Sequence, residues 1–176
     1  ERLHEWAART LRTLLVDSPD NRRAFGAANS GEGLFLLTTL LGSDNAALVE
    51  HVTLSLQALA DQPDNRARLA AAGAAEQLAK SLAHPVPAVQ RSALAALVQL
   101  AAHPDACRAI VRADGVALLG GMLQHAMDDH VQESVLKILQ CLLDQEDCSI
   151  ATGRELLFGS LAALVGVLRS QNAHVQ

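Results

Sequence analysis

Four stretches of this chain fit one another in register. Residues 3–16, 48–61, 89–102 and 131–144 start at Leu3, Leu48, Val89 and Val131, with spacings of 45, 41 and 42 residues. Four positions after each start stand Ala7, Val52, Ala93 and Val135. Eight after stand Leu11, Leu56, Leu97 and Leu139, and eleven after stand Leu14, Leu59, Leu100 and Leu142. Offsets of 0, 4, 8 and 11 trace one stripe along an α-helix. A single amphipathic helix says little. Four in register, with Leu in every copy at two offsets, mean repeating units that bury a shared core by stacking.

A second text recurs between these helices. It reads PDNRRAF at 19–25, PDNRARL at 63–69 and PDACRAI at 104–110. Pro is suited to the first helical position, where its missing N–H leaves no bond unmade, and Ser18 can cap the helix that Pro19 opens. The motif therefore reads as a helix start written once per unit. Gly73 precedes Leu78 and Leu82 by five and nine residues, and Gly159 precedes Leu164 and Leu168 by the same steps. Gly115 sits one place later relative to Leu119 and Leu123. Each unit thus reads as a short helix, a Gly break, a second helix and the long third one. The expected organisation is one domain over 1–176: a partial repeat at 1–16, full repeats at 19–60, 63–102 and 104–143, and a divergent or partial repeat at 145–176. The last is four residues longer before its Gly, which predicts an extra turn or loop, and 173–176 read as the start of a further helix. Such a chain is expected to be a piece of a longer array.

Composition supports helices and restricts function. Half the residues are apolar, only 2% are aromatic and Tyr is absent. The core must come from Leu, Ala and Val, and the first two are strong helix formers. The net charge is −5, Lys occurs only at Lys80 and Lys137, and the Arg residues are scattered. A nucleic-acid surface needs clustered cations, so none is expected, and Arg22-Arg23 reads as a solvated helix face. Cys107, Cys141 and Cys148 show no metal spacing and read as reduced thiols, which implies a cytoplasmic location. The longest apolar run, 156–168, has 13 residues. That is short of the roughly 20 that span a bilayer. Left bare, that run and the array ends leave homodimerisation open.

The period of about 42 residues, the three-helix reading, the break at Gly73 before AAEQLAKSL and the Leu ladder of the third helices resemble the armadillo repeat family. The resemblance covers nearly the whole chain. HEAT repeats have a similar period but two helices per unit. Armadillo membership implies a right-handed superhelical solenoid, all-α, with the third helices lining its concave side. Nuclear-import armadillo proteins hold basic peptides through Trp and Asn columns on those helices. Here the Asn column reads Thr13, Ala58, Gln99 and Cys141, the Trp column reads Arg9, Leu54, Ala95 and Lys137, and Trp6 falls elsewhere. A narrower likeness, in residues 112–143, is to armadillo-type nucleotide exchange factors of the seventy-kilodalton heat-shock chaperones. It rests on Asp114-Gly115 and Ile138-Leu139-Gln140, and implies a co-chaperone as the alternative function.

At 100° per residue, offsets 2, 6 and 9 point away from the apolar stripe. Offset 2 gives Glu5, Glu50, Arg91 and Glu133; offset 6 gives Arg9, Leu54, Ala95 and Lys137; offset 9 gives Arg12, Gln57, Val98 and Gln140. The predicted partner-binding set is Glu50, Leu54, Gln57, Arg91, Ala95, Val98, Glu133, Lys137 and Gln140. Leu54, Ala95 and Val98 form an apolar stripe across two units, as a groove for a peptide or helix would. Isolated exposed apolar residues are ordinary, so the stripe counts only as a group.

No catalytic constellation or cofactor motif emerges, and no enzyme is expected. His84, His103 and His125 fall near helix ends, where a dipole suits a His. His125 and His130 are separated by the turn signal Asp128-Asp129, one of which should cap the next helix. Cys141 and Cys148 are seven apart but separated by the connection at Gln145. Gly31-Glu32-Gly33 and Gly120-Gly121 lack the strand and Gly-Lys-Ser/Thr of a phosphate loop. The expected role is a non-catalytic scaffold that binds a segment of another protein.

Overall fold

A computed structural model describes residues 2–125, 128–156 and 165, without the side chains of 29, 30 and 125. Among them are eleven α-helices. The long third helices are α1 (Arg2–Val16), α4 (Ala46–Ala60), α7 (Pro87–Leu100) and α10 (Asp129–Asp144). The first helices are α2 (Pro19–Ala27), α5 (Pro63–Ala71), α8 (Pro104–Arg112) and α11 (Glu146–Glu155). The second helices are α3 (Glu32–Leu40), α6 (Ala74–Ser81) and α9 (Gly115–His125). The expected Gly159 break, Leu164, Leu168 and the helix start at 173–176 lie outside the described residues, as does most of the 156–168 run.

Like helices stack on like. The third helices form one column, α1 on α4 on α7 on α10. The first helices form another, α2 on α5 on α8 on α11, and the second helices a third, α3 on α6 on α9. Leu48, Val52, Leu56 and Leu59 of α4 are all buried, as are Val89, Ala93, Leu97 and Leu100 of α7. In α10, Val135, Leu139 and Leu142 are buried and Val131 is partly so. This is the Leu ladder, turned toward the first two helices of its own unit.

In α1 the same columns behave differently. Leu3 is 79% exposed and Leu14 53%, while Ala8 and Leu15 are the buried positions. The cause is packing, not propensity. Among the described residues α1 packs on α2 and α4, and none of the described helices covers the Leu3 and Leu14 side of its ladder.

Pro19, Pro63 and Pro104 each open their helix, and the Ser18 side chain accepts the N–H of Asn21. Asp128 caps α10 by accepting the His130 N–H at 2.9 Å. The break before the second helix is a left-handed residue: Gly31 (φ 94°), Gly73 (φ 77°) and Asp114 (φ 54°). In the third unit the break therefore falls on Asp114, and Gly115 has another reason. A β-carbon there would stand 2.7 Å from both Ile110 Cγ2 and Ile110 O. In the first unit a 3-10 turn, Ala28–Gly31, ends on the break itself.

The recurring Pro-Asp-Asn-Arg text does more than start a helix. Asn21 Nδ2 donates to Leu14 O at 2.9 Å, and Arg22 Nη1 to Leu15 O and Val16 O at 3.0 and 2.9 Å. One unit on, Asn65 Nδ2 donates to Leu59 O at 3.2 Å and Arg66 Nε to Ala60 O at 2.9 Å. In the third copy the Cys107 thiol donates to Ala101 O at 3.1 Å. Leu15, Ala60 and Ala101 occupy the same offset. The terminal carbonyls of a helix lack partners within it. Here the next unit supplies them.

Candidate binding groove

The third-helix column positions the candidate site. Its helices pack closely because the flanks of α4 and α7 carry small residues: Thr53, Ser55 and Ala58, then Ser92 and Ala96, all buried. Their hydroxyls are satisfied within the helix. Thr53 Oγ1 donates to Val49 O at 2.7 Å, Ser55 Oγ to His51 O at 2.9 Å and Ser92 Oγ to Ala88 O at 2.9 Å. Burying these groups therefore leaves no unmet donor.

Between the flanks runs the face that offsets 2, 6 and 9 predict. Leu54, Ala95 and Val98 are half-buried, as are Glu50, Gln57 and Glu133, while Arg91, Lys137 and Gln140 are exposed. On α10 the face is occupied internally: Lys137 Nζ meets Glu133 Oε1 at 2.7 Å, and Gln140 Nε2 donates to Asp144 Oδ1 at 2.9 Å. Gln99, beside Val98, is held by Arg66 Nη2 at 2.9 Å.

The predicted set omits the residues that join Leu54 in a cleft. Leu54 lines a cleft of about 390 Å³ with Arg12, Thr13, Val16 and Asp17. These four come from the end of α1 and the connection after it. Arg12 shares the offset of Gln57 and Val98, so that column was the available signal. Val16 and Asp17 lie past the ladder's last offset. His51 sits near this end of the groove. Burial pushes its imidazole below its ordinary pKa of 6.5, and Arg12 acts in the same direction, against Glu50.

A second cleft, about 360 Å³, is lined by Gly31, Glu32, Phe35, Arg68, Ala71 and Ala72, from α3, α5 and the turns beside them. Phe35 is 65% exposed beside it. Cys107 and Cys148 are buried and Cys141 is half-buried. Burial lifts the Cys107 thiol to about 11, aided by Cys148 and Cys141, so it is protonated at neutral pH. Among the described residues no group of three His, Cys, Asp or Glu is placed to hold a metal ion, and no helix is long and apolar enough to cross a membrane. Asp114-Gly115, which carries the exchange-factor likeness, forms the tight turn between α8 and α9.

No protein-family model and no curated protein matches the sequence. Solved structures do match the fold. One engineered protein superposes with a TM-score of 0.80 at 28% identity, over 98% of this chain and 68% of its own. Another gives 0.82 at 27%, over 98% of this chain; this chain spans only 41% of it. A designed armadillo repeat protein in complex with the peptide (KR)4 gives 0.79 at 17% identity, over 96% and 69% of the two chains. The fold is thus an all-α repeat solenoid of the armadillo type. The likeness read in the Leu ladder and the Gly break holds at that level.

Proposed function

We propose that the chain is a non-catalytic protein-interaction scaffold that holds a peptide or helical segment of a partner in the groove of its third helices. Leu54, Ala95 and Val98 carry the reading. They are apolar, half-exposed and aligned across α4 and α7, on a face whose flanks are closed by neighbouring helices. Glu50, Gln57, Arg91, Glu133, Lys137 and Gln140 supply a polar rim of both signs. A solved relative in fold carries the peptide (KR)4. The free thiols suit an intracellular setting.

The test is peptide display against the folded chain, followed by binding of the enriched peptides to Leu54→Glu/Val98→Glu and, separately, to Phe35→Glu. Loss with the first variant and retention with the second, at unchanged helicity, supports the groove. Loss with Phe35→Glu alone moves the site to the cleft beside α3 and overturns the reading.

A further inference from the structure

Resting on that groove, we propose that its α1–α4 end selects a peptide with an acid–apolar–base order. An aliphatic side chain would seat on Leu54, its carboxylate neighbour would meet Arg12, and its ammonium neighbour would meet Asp17. Three observations carry this. First, the cleft of about 390 Å³ has Leu54 and Val16 as apolar walls, and Val16 is 50% exposed. At the small end of ligand clefts, roughly 300–1,000 Å³, it suits a few side chains and not a folded domain.

Second, the two charged residues lining it are unspent. Among the described residues Arg12 and Asp17 make no ion pair, with each other or with anything else, and no side-chain hydrogen bond. On α10 the same face holds a matched pair, Lys137 with Glu133 at 2.7 Å. Third, Arg22, five residues on, turns its Nη1 to Leu15 O and Val16 O and makes no ion pair with Asp17. A uniformly acidic peptide would face Asp17, and a uniformly basic one would face Arg12. Only a mixed pair satisfies both. In an extended segment alternate side chains share a face, so the three residues should be spaced two apart.

The experiment is fluorescence polarisation with four labelled peptides, each with a central Leu flanked two residues away by Glu and Lys, Lys and Glu, Glu and Glu, or Lys and Lys. One mixed peptide is expected to bind about three- to tenfold tighter than both uniform ones, the range two partly exposed ion pairs provide. Arg12→Glu/Asp17→Lys should exchange the preference between the two mixed orders, and Arg12→Gln should lower discrimination without loss of fold. Binding that is lost with Leu54→Glu yet indifferent to charge order overturns this inference and leaves the groove. Binding that is indifferent to Leu54→Glu as well, or no binding at all, overturns both.

Discussion

Gly26 and Asn65 share one space. A β-carbon on Gly26 would overlap the Asn65 side-chain amide. Asn65 is fully buried, and its Nδ2 donates to Arg22 O at 2.9 Å as well as to Leu59 O, joining α5 to α2 and to α4. Gly26→Ala should displace that amide and leave buried carbonyls without a donor, at about 1–3 kcal/mol. Asn65→Ala should cost a similar amount. The double variant should lose less than the sum, because the second change removes what the first collides with. Urea melts of the four proteins check this, and simple additivity would argue against a shared space.

Leu100 and Leu14 stand in the same column of the repeat. Leu100 is 1% exposed and Leu14 is 53%. Leu100→Ala should therefore cost about 2–5 kcal/mol, as buried Leu truncations do. Leu14→Ala should stay within about 0.5 kcal/mol. Equal costs in thermal melts would mean that the α1 ladder is covered in solution.

Gly121 lies within α9, where a β-carbon would meet nothing within 4 Å. Gly in a helix interior is disfavoured by roughly 0.5–1 kcal/mol relative to Ala. Gly121→Ala should raise stability by about that amount, read as a higher urea midpoint at unchanged slope.

His51 predicts an acid-side loss of stability. Burial lowers its pKa in the folded chain, with Arg12 and Arg9 of α1 adding to the effect and Glu50 and Glu5 opposing it. The unfolded chain then binds more protons in the window below the ordinary value of 6.5. The His51 contribution is complete above that value, falls as pH drops toward the depressed folded pKa, and levels off below it. Melts of the parent and His51→Gln across pH 7 to 5 should differ in slope, the variant being flatter (roughly the window in which unperturbed His titrates).

The repeat was legible because a helical stripe is a local signal and four copies multiply it. Ser18, Pro19 and Asp128 were legible for the same reason: caps act within three residues. The carbonyl caps made by Asn21, Arg22, Asn65 and Arg66 were not. They cross a turn, and the same letters also serve as a helix start, which hides the second role. The exposure of Leu3 and Leu14 was hidden too, because a stripe shows which side is apolar and not whether anything covers it. The helical wheel proposes a face for the groove, while the cleft beside Leu54 also takes in Val16 and Asp17, which no periodicity marks.

The carbonyl caps give the array a direction. Among the described residues α1, α4 and α7 are each closed at the carboxyl end by a side chain of the following helix, from α2, α5 and α8 in turn. A third helix cannot fray at its carboxyl end until its successor lifts away, so disturbance should travel backward through the stack more readily than forward. A cut in the chain between Asp61 and Pro63 would then weaken the piece before it by removing its lid, while the piece after it would keep its own caps.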